Sequence, residues 1–146
     1  MDVMKSRSMS IMVVVLLLLS GCGGADQVKP LSFEEIEPVE RQAEIDRAKE
    51  IVLEMEEVIN VKGVQFTHLL FLAPEVKQFD RMKLKHIRQD AFKRVKDEFP
   101  KSKVHVSTDK KIYMELEKIE EQLYNGDITA EDLKKKLMKL EEDMKG

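Results

Sequence analysis

The feature that most constrains this chain is an apolar run at residues 11–19, which follows two basic residues and ends in Ser20 and Gly21. A short basic region, an apolar segment of about 7–15 residues and an exit of small residues are typical of a secretory signal peptide. A membrane-spanning helix needs about 20 apolar residues, so this run is too short to cross a bilayer. We therefore predict that residues 1–21 are a signal peptide and not a membrane span.

The single cysteine, Cys22, stands directly after this exit. A lone cysteine has no internal disulfide partner, and neither a second cysteine nor a histidine lies at metal-ligand spacing from it. The sequence Leu19-Ser20-Gly21-Cys22 resembles a bacterial lipobox. This resemblance implies cleavage between Gly21 and Cys22, a diacylglyceryl group on the Cys22 thiol and an N-acyl chain such as palmitate. The lipoprotein would then be anchored at the extracytoplasmic face of the cell membrane. The alternative is an ordinary signal peptide followed by an incidental cysteine.

Residues 22–41 contain two prolines and two glycines and show little hydrophobic periodicity. They are predicted to be a lipidated, flexible tether that spans roughly 25 Å as a coil. Residues 42–108 are predicted to form an α+β core domain, and residues 109–146 a C-terminal helical hairpin.

Apolar residues recur at helical spacing in residues 42–57 and 76–99, which predicts two amphipathic helices in the core domain. Residues 64–73 and the segment "KVHVST" are rich in β-forming residues and predict two strands. Two strands make a thin sheet, so a third is expected near residues 57–61 or from a partner. The predicted fold class is α+β, a small sheet of two or three strands packed by amphipathic helices.

The C-terminal hairpin is predicted from two apolar seams and from the signals that bound them. Ser107 or Thr108 is expected to cap the first helix, and Gly126 to close it. Thr129 is expected to cap the second helix, with Asp132 completing a variant of the capping box. The seams consist of Ile112, Leu116, Ile119 and Leu123, and of Leu133, Leu137, Leu140 and Met144.

Methionine is abundant and tryptophan is absent, and both facts bear on function. The methionines are predicted to fill the core, although the hairpin seams could instead bind another chain. The scarcity of aromatic residues argues against a nucleic-acid platform, which needs exposed rings. The methionines concerned are Met55, Met82, Met114, Met138 and Met144.

Charge is distributed unevenly along the chain. Residues 31–60 carry a net charge of −7, residues 77–111 of +7 and residues 112–146 of −4. One interpretation is that oppositely charged helix faces attract one another within the fold. The other is that the basic segment contacts an anionic surface such as lipid head groups. The candidate contact residues are Lys83, Lys85, Arg88 and Lys93.

No pattern in the sequence predicts catalysis or a cofactor. His68, His86 and His105 are not spaced as metal ligands. The carboxylate pairs Glu56/Glu57 and Glu141/Glu142 fall on predicted helix faces and are expected to be solvated. There is no phosphate-binding glycine loop, serine nucleophile elbow or paired-histidine zinc motif. The sequence therefore predicts a protein that is not an enzyme and that binds no metal.

Several segments together resemble a known family. "MEEVINVKGV", "KLKHIRQDAFKRVKDEFP" and "KVHVSTDKKIYMELEKIE", in that order behind a lipobox, resemble the YhcN/YlaJ family of sporulation lipoproteins of endospore-forming bacilli. The ending "YNGDITAEDLKKKLMKLEEDMKG" is most similar to the YlaJ-type branch. The resemblance implies expression during sporulation, residence in the spore inner membrane and a role in efficient spore germination. Many family members carry a longer spacer and a strand pair before the basic helix, whereas "FLAPEVKQFDR" here leads almost directly into that helix.

Three functional hypotheses follow. The first is a non-catalytic spore-membrane lipoprotein that supports germination through protein or membrane contacts. The second is a structural, ring-building subunit of a cell-envelope assembly, which would make the chain a homo-oligomer. The third is a metal or small-molecule binder that uses the three histidines. Nucleic acid is not an expected partner in any of them.

Overall fold

A computed structural model describes residues 42–146, which form four α-helices, one 3-10 helix and a three-stranded sheet. The predicted α+β fold class is confirmed. The predicted signal peptide, Cys22 and the tether lie outside the described residues. The elements in chain order are α1 (Ala43–Leu53), β1 (Val58–Phe66), β2 (Leu69–Val76), the 3-10 helix (Gln78–Lys83), α2 (Leu84–Glu98), β3 (Lys103–Val106), α3 (Lys110–Asn125) and α4 (Ala130–Lys145).

The strands lie in the order β1-β2-β3, with β1 antiparallel to β2 and β3 parallel to β2. Helix α2 provides the crossover that a parallel pair requires. Helices α1 and α2 pack on one face of the sheet, and α3 and α4 on the other. Alternate residues of β2 therefore enter different cores, with Leu70 and Leu72 on one side and Phe71 and Ala73 on the other. Because β2 is covered on both faces, its sequence is a nearly continuous apolar run.

The apolar stripes predicted for the last three helices are confirmed. Their central residues are buried against the sheet, and Leu123 and Met144 pack at the border of the second core. The two C-terminal helices run antiparallel, because Lys136 contacts Gln122 while Asp143 contacts Lys111. The hairpin thus forms a layer over one face of the sheet. The buried stripe residues are Ile87, Ala91 and Val95 in α2, Ile112, Leu116 and Ile119 in α3, and Leu133, Leu137 and Leu140 in α4.

The prediction of one strand over residues 64–73 is wrong, because a two-residue turn at Thr67 and His68 splits this segment into the ends of β1 and β2. Thr67 has a positive φ of 53°, a conformation that β-branched residues rarely adopt. Tertiary packing holds the turn, since both strands bury their apolar residues in the two cores. The third strand expected near residues 57–61 is confirmed as the first half of β1.

Gly63 lies in the middle of β1. A Cβ atom at this position would be 2.9 Å from the carbonyl oxygen of Phe71 and 3.0 Å from Cγ1 of Ile45 in α1. Glycine is needed here because α1 and β2 approach the strand so closely.

Two predicted helix bounds are also wrong. Helix α1 ends at Leu53 rather than at residue 57, because the chain turns and enters β1 at Val58. Helix α2 begins at Leu84 rather than at residue 76, since β2 continues through Pro74 to Val76. Pro74 is tolerated in this central strand because β3 pairs only with Leu69 to Leu72 and has ended at that level.

The predicted caps are confirmed for one helix and corrected for the other. The Thr129 hydroxyl accepts a hydrogen bond from the Asp132 amide (3.1 Å). Gly126 has a φ of 70° and closes α3 in the left-handed conformation, as expected. The cap of α3 is Asp109, whose carboxylate accepts from the Lys111 amide (2.6 Å), and neither Ser107 nor Thr108 fills that role.

The prediction that the methionines fill the core is wrong for three of the five. Met55 is buried and Met144 packs at the edge of a core. The side chains of Met82, Met114 and Met138 are exposed.

Candidate functional site

The 3-10 helix and α2 form the most basic part of the described chain. Residues 77–96 contain eight lysines and arginines and only two acidic residues. Each acid pairs within its own helix: Asp80 with Lys83 at 3.5 Å and Asp90 with Arg94 at 3.1 Å. The local acids therefore leave most of the positive charge of this segment uncompensated.

Five cations of this segment define what we call the basic surface: Lys77, Arg81, Lys85, Arg88 and Lys93. All five are exposed. Within residues 42–146, none of them forms an ion pair or a side-chain hydrogen bond. Burying a charge would require a partner, whereas exposed cations without partners remain free to meet an external anion.

Ion pairs between oppositely charged segments compensate the charge of other lysines but not that of the five cations of the basic surface. Lys103 and Lys111, at the end of the basic segment, pair with Glu141 (2.5 Å) and Asp143 (3.9 Å) of α4. Lys49 of α1 pairs with Glu120 of α3 at 2.8 Å. Acidic residues of α3 and α4 thus compensate lysines of α1, β3 and α3 in the described structure and leave the basic surface unpaired.

The four predicted contact residues are all exposed but do not converge on one point. Lys83 ends the 3-10 helix and pairs with Asp80. At 100° per residue, Lys85 and Lys93 lie on the outward half of α2, opposite its buried stripe. Arg88 lies nearer the flank, one turn before the exposed Phe92. The cations therefore spread over one broad surface, as expected for binding to an extended anionic layer.

Two apolar side chains beside the basic surface were missed by the sequence analysis. The side chains of Phe79 and Met82 are 94% and 97% exposed. Residues three apart in a 3-10 helix are eclipsed, so both project from the same side. The exposure of Met82 could have been predicted from the sequence. If α2 is extended backward at 100° per residue, Met82 lies directly opposite the buried stripe of the helix.

A groove of about 500 Å³ lies next to this helix. Ile59 and Met114, both exposed, lie on its wall with Tyr113. Glu75, Asp109 and Glu117 also line it, so the groove is mixed in character and partly acidic.

The three histidines lie on different elements. His68 is exposed in the hairpin turn and His86 is exposed on α2. The ring of His105 on β3 stacks on Phe71, with centroids 4.7 Å apart and an interplanar angle of 11°. Among residues 42–146, no group of three or more histidine, cysteine or acidic residues is placed to hold a metal ion.

The expectation that Glu141 is a solvated carboxylate is wrong. Its carboxylate accepts from Lys103 and lies 3.1 Å from the Lys145 ammonium, while Nε2 of His105 is 3.8 Å away. Hydrogen bonds from the two lysines lower the pKa of Glu141 to about 2. Burial lowers the pKa of His105, with Glu141 opposing that shift. A carboxyl group that stays ionised near neutrality is a structural anchor between β3 and α4 and is poorly matched to proton transfer.

The outer edge of β1 is covered by side chains. Its outward backbone amides are those of Val61, Gly63 and Gln65. They donate to Oδ1 of Asn60 (2.8 Å), Oε1 of Glu120 (2.9 Å) and Oε1 of Gln42 (3.2 Å), respectively. Gln42 also donates through Nε2 to the Gln65 carbonyl at 3.0 Å. An edge with its amides occupied in this way is a poor template for another strand.

No helix within residues 42–146 is long and apolar enough to cross a membrane. Comparisons with models of known families, with curated proteins and with solved structures give no match.

Proposed function

We propose that this chain is a lipid-anchored, non-catalytic lipoprotein whose α+β domain docks on an anionic membrane through the basic surface. The observation that carries this proposal is the set of five exposed cations without an ion pair among the described residues. Lysines and arginines near an anionic leaflet each contribute about 1 kcal/mol of attraction. The predicted tether, which would begin at Cys22, would keep the domain within reach of the bilayer.

Electrostatics also supports a defined orientation of the domain. The chain as a whole has a net charge of −3, while residues 77–96 carry a net charge of +6. An anionic membrane would attract residues 77–96 and repel residues 112–146, which carry a net charge of −4. The domain would therefore rest on the membrane through one side and leave residues 112–146 available for protein contacts.

The biological setting that we propose is spore germination. Resemblance to the YhcN/YlaJ sporulation lipoproteins supports this setting, together with residence in the spore inner membrane. In this proposal the domain supports germination by contacting membrane and protein partners, without a cofactor.

The ring-building alternative has less support. It needs a strand edge or a helix face that packs against a second copy, and side chains already occupy the outward amides of β1. A histidine-based metal binder has the least support, because His68, His86 and His105 lie on three separate elements.

Vesicle binding of the mature chain made without lipid, residues 22–146, tests the membrane contact. The surface variant Lys85→Gln/Arg88→Gln/Lys93→Gln removes three charges from the basic surface. The control Lys134→Gln/Lys135→Gln/Lys139→Gln removes three exposed charges from α4. At about 1 kcal/mol per charge, the surface variant should bind phosphatidylglycerol vesicles at least about tenfold more weakly. Equal loss in both variants would contradict the proposal.

Spores carrying the same variants test the biological setting. We expect deletion of the protein, Cys22→Ala and the surface variant each to slow germination while spores still form. The α4 control should germinate at the normal rate. Normal germination of the deletion strain in several germinants would contradict a germination role.

A further inference from the structure

We propose that Phe79 and Met82 insert into the interfacial layer of an anionic bilayer and form an apolar anchor beside the basic surface. This inference rests on the membrane contact proposed above and adds a second, hydrophobic component to it. It also assigns the 3-10 helix as the first part of the domain to enter the membrane.

Geometry gives the two side chains a common direction. They stand three residues apart in a helix with three residues per turn, so they project together. No residue of this helix is buried, and its two largest apolar side chains are almost wholly exposed to water. Exposure of adjacent large apolar groups is typical of a surface that binds a membrane or a protein.

The surrounding charges favour a lipid surface over a protein pocket. Lys77, Arg81, Lys83 and Lys85 surround the pair in sequence, and the nearby acid, Asp80, is paired with Lys83. Apolar tips flanked by cations match the order of a bilayer surface, where anionic head groups overlie acyl chains. The long stems of lysine and arginine allow their charged ends to stay at head-group level while the apolar tips go deeper.

The other exposed apolar side chains in residues 42–146 are less exposed than Phe79 and Met82 or lie beside acidic residues. Tyr124 is 92% exposed but lies beside a groove that Glu120 and Glu121 also line. Ile59 and Met114 are 57% and 47% exposed and border a groove that both acidic and basic residues line, Glu75 and Arg81 among them. An anionic membrane would repel the region around Tyr124, and Ile59 and Met114 offer less apolar surface, so the 3-10 helix is the better insertion point.

A tryptophan reporter tests insertion directly, because the natural chain has no tryptophan. Phe79→Trp places the reporter at the proposed anchor, and Tyr124→Trp places a matched control at an equally exposed distant position. Both are examined in the mature chain with phosphatidylglycerol vesicles, some carrying brominated acyl chains. We expect the Phe79→Trp emission to move to shorter wavelength and to be quenched by bromine, while Tyr124→Trp emission stays unchanged.

The outcomes separate this inference from the proposed function. If the chain binds vesicles but Phe79→Trp emission remains that of a water-exposed indole, insertion is wrong and electrostatic docking stands. Short-wavelength emission of Phe79→Trp in buffer alone would mean that the side chain packs on protein, which also overturns the inference. If neither reporter chain nor the natural chain binds anionic vesicles, the proposed function itself fails.

Salt provides a second readout. At 1 M salt the Debye length falls to about 3 Å, so attraction between charges is largely screened. We expect the natural chain to retain measurable vesicle binding there and Phe79→Ser/Met82→Ser to lose it. Equal binding of the two proteins in high salt would contradict insertion.

Discussion

Thr67 holds a backbone conformation that glycine adopts more easily, and it does so because only two residues connect β1 to β2. Its φ of 53° lies in the left-handed region. The Gln65 side chain donates to the Thr67 carbonyl at 3.1 Å and helps to fix the turn. A β-branched residue in this region is strained by about 1–3 kcal/mol. The packing of the two strands compensates for that strain.

We expect Thr67→Gly to increase the free energy of unfolding by about 1 kcal/mol, because the relief of strain exceeds the added entropy of the unfolded chain. Thr67→Ala is the matched control, since it removes the hydroxyl and keeps the Cβ atom. Urea denaturation at neutral pH measures both. A Thr67→Gly protein no more stable than Thr67→Ala would show that the turn is not strained at this residue.

At the scale of elements, Glu141 joins β3 to α4. Its carboxylate binds Lys103 of β3 and Lys145 of its own helix. The imidazole of His105 lies beside it, with Nε2 at 3.8 Å. The folded-state pKa of about 2 lies below the ordinary value of 4.5. Ionised Glu141 therefore stabilises the fold above its ordinary pKa, and this contribution is lost as the pH falls from about 4.5 toward 2.

We expect Glu141→Gln to be less stable than the natural protein at pH 7 and to approach it in stability as the pH falls toward 2. Glu142→Gln, at an exposed neighbouring position, should follow the natural protein throughout. His105 adds a separate loss of stability below pH 6.5, because burial lowers its pKa in the folded state. That loss should persist in Glu141→Gln. Urea midpoints at a series of pH values measure these effects, and parallel curves for Glu141→Gln and the natural protein would contradict the assignment.

The same scale shows what sequence patterns could predict. The stripes of α2, α3 and α4 and the Thr129 cap depend on residues within one or two turns, and they were predicted. The β1–β2 hairpin depends on packing on both faces of the sheet, and Thr67-His68 is not a turn dipeptide with a recognisable signal. The hairpin was therefore missed, although a third strand was expected near it.

The sequence predicted the positive charge of the candidate site but not which apolar side chains are exposed beside it. Lys83, Lys85, Arg88 and Lys93 stand out by composition. The exposure of Phe79 and Met82 depends on where β2 ends and α2 begins, and the predicted helix begins eight residues too early. Met82 was assigned to the core with the other methionines, although its helical phase places it opposite the buried stripe of α2.

At the scale of the whole molecule, charge and polar side chains have two separate uses. The five cations of the basic surface form no ion pair within residues 42–146 and are available to an external partner. Along β1, charged and polar side chains cap backbone amides: Glu120 binds the Gly63 amide while also pairing with Lys49 and Lys62. Caps of this kind make the β1 edge of the sheet a poor template for pairing with a second copy.

Removing the caps should make the chain associate through β1. Gln42→Ala/Glu120→Ala frees the amides of Gly63 and Gln65 and the Gln65 carbonyl. Each backbone hydrogen bond regained between copies contributes about 1 kcal/mol, so we expect weak self-association that grows with protein concentration. Sedimentation velocity over a range of concentrations measures it.

Glu120→Gln is the control that separates capping from charge. It removes the negative charge next to Lys49 and Lys62 but keeps an oxygen that accepts from the Gly63 amide. Association of the double alanine variant alone would assign the protection of this edge to hydrogen bonding. If Glu120→Gln associates as strongly, repulsion between charged edges keeps the copies apart. If neither variant associates beyond the natural protein, side-chain caps do not control the edge, and the ring-building alternative loses β1 as its contact surface.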